Sequence, residues 1–144
     1  MNVKNKDVKI ELRTVIEDDG EKELMIVKQR GKYFKRRDLE VLTYTEKTDG
    51  EEDVKNMISI YPDKINIKRT GAISMNQLFL KGKLTECLYK HPYGNIHMEI
   101  DTVSMSYEPM EESGRGQAVI AYRVQLNGAR KRNHYLTLTF MEEN

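Results

Sequence analysis

The chain has no tryptophan, a single cysteine and only three prolines in 144 residues, and each scarcity removes a class of protein. Cys87 alone can form no internal disulfide, so a disulfide-stapled extracellular scaffold is excluded and a reducing cytoplasm is the natural reading. It stands in Lys83-Leu84-Thr85-Glu86-Cys87-Leu88-Tyr89, with no histidine or basic cluster beside it to lower its pKa. That reads as a buried structural residue, not a nucleophile. No apolar run approaches the roughly 20 residues of a membrane-spanning helix. The opening Met1-Asn2-Val3-Lys4-Asn5-Lys6-Asp7 lacks the apolar stretch of a signal peptide, so the expectation is a soluble, unexported protein. Charge of one sign is not in excess either: 24 Lys and Arg against 23 Asp and Glu leave a net charge of +1. No global field draws such a molecule to nucleic acid or to an anionic membrane.

What the chain does have is punctuation. Gly, Pro or Asp-rich turn signals recur about every ten residues, and the stretches between them alternate apolar with polar, the period of half-buried strands. Ile, Leu, Val and Phe number 34, enough to build one core in a chain of single-domain length. Residues 1–144 are therefore expected to form one all-β domain. Val8, Ile10, Leu12, Thr14 and Ile16 share one face of a first strand, and Asp19-Gly20 supplies hairpin chemistry after it. Leu24-Met25-Ile26-Val27 is apolar on both phases, which predicts that its outer face is covered by the N-terminus or by another segment. Turns are expected at Gly31 and at Arg36-Arg37-Asp38. Pro62, Pro92 and Pro109 all fall between strand-like runs, where a missing N–H does no harm. Between residues 95 and 108 the apolar phase switches from Ile96, Met98 and Ile100 to Val103, Met105 and Tyr107, the mark of a β-bulge near Asp101-Thr102. Ala118, Ile120, Tyr122, Val124 and Leu126 alternate up to Asn127-Gly128, and Leu136, Leu138 and Phe140 alternate after it. About ten strands in so short a chain must close or fold over to bury one face.

Three segments carry a resemblance. Val15-Ile16-Glu17-Asp18-Asp19-Gly20, Arg69-Thr70-Gly71-Ala72-Ile73-Ser74-Met75-Asn76-Gln77-Leu78-Phe79 with Gly82 after it, and Tyr93-Gly94 resemble the YwiB-like proteins. These are small uncharacterised bacterial β-barrels grouped with the calycins, which include the lipocalins and fatty-acid-binding proteins. The resemblance runs close to full length and is most specific in its central segment. It implies a calycin-like or lipocalin-like closed antiparallel meander barrel, and it brings no established activity or catalytic residue. The basic stretch from residue 28 to residue 37 is not part of the family's pattern.

Chemistry has few places to sit. Arg69 follows Ile65 and Ile67 on the core-facing phase, and a guanidinium turned into a barrel needs an anionic partner to offset its desolvation. With Met75, Gln77, Met98 and Tyr122 on neighbouring phases it outlines an interior site for a small amphipathic or anionic ligand. The competing reading puts Arg69 at the rim, or in a pair with a glutamate beside Gly71, and fills the interior with side chains. Lys28, Arg30, Lys32, Lys35, Arg36 and Arg37 around Tyr33-Phe34, together with Arg130, Lys131 and Arg132, form a candidate surface for single-stranded nucleic acid. There cations would neutralise phosphates and aromatics stack bases. Hairpin loops also collect solvated Lys and Arg without any such purpose, and that account is preferred.

His97, Glu99 and Asp101 share a strand face at period two, but they oppose Ile96, Met98 and Ile100 and lack a fourth ligand; a wetted face is expected and no metal. His91 and His134 have no partner by spacing. The carboxylates of Glu17-Asp18-Asp19, Glu51-Glu52-Asp53 and Glu111-Glu112 fall in expected turns. No Gly-x-Ser-x-Gly elbow or phosphate-cradling glycine loop is present, so neither catalysis nor a cofactor is expected. The reading is a cytoplasmic, non-enzymatic barrel that binds a small amphipathic or anionic ligand in its interior. The alternative is a solid-cored module that contacts a protein or RNA through its outer face and basic loops.

Overall fold

The structure, a computed structural model, describes residues 4–111 and 113–143. Met1, Asn2 and Val3 of the opening segment and Glu112 of the expected acidic turn lie outside the described residues. Ten strands make up the fold: β1 (Lys4–Asp18), β2 (Glu21–Arg36), β3 (Leu39–Glu46), β4 (Val54–Ile60), β5 (Lys64–Gly71), β6 (Met75–Leu80), β7 (Leu84–His91), β8 (Gly94–Glu108), β9 (Arg115–Leu126) and β10 (Arg132–Glu142). Among the described residues no helix is long and apolar enough to cross a membrane.

The strands form one antiparallel sheet in the order β6-β5-β4-β3-β2-β1-β10-β9-β8-β7. Sequence neighbours are therefore sheet neighbours, and the first and last strands pair from Val8 with Glu142 to Glu17 with Asn133. Only the β6–β7 seam lacks a ladder. It is stitched by the backbones of Ser74 and Lys90, at 3.0 and 2.8 Å, and by Thr85 Oγ1, which donates to the Leu78 carbonyl at 2.6 Å. The result is a nearly closed meander barrel, the architecture that the resemblance implies and one of the two that the alternation leaves open.

Turn chemistry sits where the sequence puts it. Asp19 and Gly20 have φ of 53° and 83°, and Asn127 and Gly128 have 47° and 73°. Successive left-handed residues of this kind match the twist of the flanking strands. The bulge lies between Thr102 and Ser104. It leaves Val103 outside, 49% exposed, and returns Met105 and Tyr107 to the inner phase. The waist of the barrel is solid, because Ile10, Leu42, Ile58, Ile65, Phe79, Ile100, Ile120, Leu138 and Phe140 are fully buried. Gly116 makes room for the last of these, since a Cβ there would lie 2.3 Å from the Phe140 ring.

Two expectations for β2 are corrected. Gly31 is not a turn: the strand runs through it to Arg36, and the reversal comes at Arg37, with φ of 55°. Glycine is required there by close approach, because a Cβ would lie 2.2 Å from the Thr43 carbonyl oxygen. Nor is the apolar quartet covered. Leu24, Met25 and Ile26 are 49%, 49% and 45% exposed. β2 pairs with β1 along its whole length, but with β3 only over Lys32–Arg36. From residue 21 to residue 30 its other edge is open.

Candidate functional site

The barrel end that carries the β1–β2 and β9–β10 turns is not filled. Above the solid waist lies a cavity of about 370 Å³ with apolar walls from Ile16, Met98, Tyr122, Val124 and Leu126, polar groups from Gln77 and His134, and Asp18, Arg130 and Arg132 at its lip. Strand register explains the grouping. Ile16 of β1 pairs with His134 of β10, which pairs with Tyr122 of β9, so one level of the wall crosses three strands. Leu126 likewise pairs with Met98. Gln77 reaches across the β6–β7 seam, its Nε2 donating to Met98 Sδ at 3.3 Å.

Aromatic contacts fix the floor. Tyr122 packs edge-on against Phe79 at 4.8 Å and lies tilted beside the His134 ring at 5.1 Å. Burial holds the Tyr122 phenol well above its ordinary pKa. Burial, and then the Arg132 guanidinium, lowers His134 to about 4. Both rings are therefore neutral at pH 7. At the lip, Asp18 Oδ1 lies 2.7 Å from Arg130 Nη2 and Oδ2 lies 3.4 Å from Arg132 Nε. One carboxylate between two guanidiniums leaves one net positive charge over an uncharged apolar cup.

Of the residues singled out in the sequence, Gln77, Met98 and Tyr122 come together here. Met75 is buried in the core and does not line the cavity. Arg69 does turn inward, but it is already held: its Nη2 donates to both oxygens of Glu46 at 3.1 and 3.2 Å, and Asn56 Nδ2 donates to the same carboxylate at 2.9 Å. The adjacent Tyr44 phenol is pushed up to about 12, by burial first and then by Glu46. The anionic partner that a buried guanidinium demands is thus a protein side chain.

His134, Arg132 and Asp18 went unassigned to the cavity by sequence reasoning. A signal existed for two of them, because Arg132 and His134 lie on the same phase as Leu136, Leu138 and Phe140. Arg130 and Arg132 had been grouped with the basic turns, yet they sit at the cavity lip, whereas Arg36 and Arg37 lie at the opposite end of the barrel. Lys28, Arg30 and Lys32 project from the outer face of β2, so the basic residues do not form one surface. Among the described residues no group of three His, Cys, Asp or Glu side chains is placed to hold a metal; His97 approaches only Glu86, at 3.8 Å. Cys87 is buried, which raises its thiol pKa.

A second polar cluster closes the opposite end. Glu40 is 4% exposed, and its two oxygens accept from Tyr33 and Tyr107, each at 2.6 Å. Phe140 stacks near both rings. Burial, then the hydrogen bond to Glu40, raises both phenols. Each Glu40 oxygen has a protein partner, as a buried carboxylate requires.

Comparison with known proteins is consistent with this architecture. Residues 10–138 match a family described as Domain of unknown function (DUF1934). The chain is 29% identical over 133 residues to the "Uncharacterized beta-barrel protein YwiB" of Bacillus subtilis (strain 168), covering 92% of each. The crystal structure of the ywiB protein from Bacillus subtilis superposes with a TM-score of 0.84 at 27% identity, over 97% of this chain and 94% of that one.

Proposed function

The chain belongs to the DUF1934 family of β-barrel proteins, and on that premise we propose that it is a non-catalytic binding protein for a small amphipathic anion, held in the cavity above the waist. The observation that supports the reading is the pairing of an uncharged cup, made by Ile16, Met98, Tyr122, Val124 and Leu126, with the Arg130–Asp18–Arg132 lip. A volume of about 370 Å³ suits a small ligand and is too little for a folded partner. The lone buried Cys87 fits a reducing cytoplasm. The RNA alternative has less support, because the basic residues it needs are divided between the two ends and the outer wall.

A thermal-shift panel of carboxylates and phosphates with aliphatic or aromatic bodies, run beside amines of the same shape, tests the reading. Circular dichroism or a dye serves as the signal because the chain has no tryptophan. A ligand bound only by the folded state at a hundredfold excess over its Kd adds about 2.7 kcal/mol of stability. A saturable rise with the anions, lost in Arg130→Ser/Arg132→Ser, is expected. Stabilisation by amines and anions alike, or by neither, contradicts it.

A further inference from the structure

One edge of β2 is open over its first ten residues. Over residues 21–30 a row of backbone groups faces away from β1 with no second strand beside it. The same stretch exposes nearly half of Leu24, Met25 and Ile26, so apolar surface flanks the open edge on both faces. An unpaired edge with exposed apolar side chains is a template for another strand. Beside it, where β2 departs from β3, a groove of about 890 Å³ is lined by Lys55, Lys68, Thr43, Thr45 and Met57.

The charges on this edge select the occupant. A second copy paired through a two-fold axis keeps inner face with inner face, so each residue must meet one of the same parity. Centring on Met25 sets Lys22 against Lys28 and Glu23 against Val27. Centring on Ile26 sets Lys22 against Arg30 and Leu24 against Lys28. Centring on Leu24 sets Glu21 against Val27, and centring on Val27 sets Leu24 against Arg30. Every self-register thus opposes like charges or places a charge on an apolar side chain. The outward face of the strand, in contrast, carries Lys22, Lys28 and Arg30, continued by Lys32 and by Lys55 and Lys68 across the groove. Arg30 is 3.5 Å from Glu143, and Lys32 pairs with Asp7. Lys22, Lys28, Lys55 and Lys68 have no ion pair among the described residues. We infer that the edge receives an extended acidic peptide segment of another protein by strand addition, its backbone pairing with residues 21–30 and its carboxylates meeting this row of cations.

Fluorescence anisotropy with synthetic peptides tests this independently of the cavity. The probes are a labelled Glu/Val peptide about ten residues long, with Glu set opposite Lys22, Lys28 and Arg30, Val opposite Leu24, Met25, Ile26 and Val27, and Thr elsewhere; its Lys/Val counterpart; and the Glu/Val peptide N-methylated at every second amide. The Glu/Val peptide is expected to bind at least about tenfold more tightly than either of the others, and Ile26→Lys to weaken it about tenfold. If Ile26→Lys lowers the melting temperature, Lys28→Glu/Arg30→Glu, at two exposed positions, provides the same readout. Equal binding of both charge types, indifference to N-methylation or the absence of saturable binding overturns the inference. So does light scattering that shows a dimer dissociated by Ile26→Lys, which assigns the edge to a second copy.

Discussion

His134 shows how a single side chain ties the cavity to solution conditions. Its folded pKa is lowered to about 4, whereas an unfolded histidine titrates near 6.5. Between those values the unfolded chain binds more protons, so the stability held above pH 6.5 is lost as pH falls towards 4. By linkage the loss at pH 5 is about 2 kcal/mol, and urea midpoints at pH 7 and pH 5 should converge in His134→Gln relative to the parent. Thr102 offers the opposite sign. Its hydroxyl is buried without a partner, so Thr102→Val is expected to gain about 1 kcal/mol in urea unfolding. Arg69→Met strands Glu46 with only Asn56 beside it; with both side chains about a quarter exposed, the expected loss is about 2 kcal/mol, recovered largely by adding Glu46→Leu. Sequence could show that Arg69 turns inward, because that follows from phase. It could not show that Glu46 is waiting, because the contact depends on the registers of β3, β4 and β5 together.

At the scale of elements, alternation and turn residues made the strands legible. The bulge near Thr102 was legible too, since an apolar phase that switches parity needs an extra residue. β2 was misread for a physical reason: a glycine between polar residues resembles a turn, and its actual role, a close approach to the Thr43 backbone, is a tertiary fact. Gly31→Ala should force β2 and β3 apart, lowering stability by about 3 kcal/mol, and hydrogen exchange should rise first over Leu39–Thr43, the residues that pair there. Apolar residues on both phases of residues 24–27 pointed to a covered strand, and the structure instead leaves Leu24, Met25 and Ile26 about half exposed. Alternation alone does not show it, because exposure there depends on where β3 leaves β2.

For the whole molecule, the division between a solid waist and a cupped end decides what the barrel can hold. The interior is filled by Phe79, Phe140 and the surrounding isoleucines and leucines, so a long chain cannot thread it; at one end a free space is bounded by Tyr122, His134 and Met98. Most of the buried apolar residues form one core cluster. Where that core ends is set by how ten registers meet, which local pattern does not encode. Met98 provides the most direct test, because its methyl group lines the cup while Met57 and Met141 lie on the exposed exterior. With methyl-labelled methionine, NMR titration by octanoate should shift the Met98 signal saturably and leave Met57 and Met141 in place. An unmoved Met98 signal at octanoate concentrations that raise the melting temperature would contradict the account.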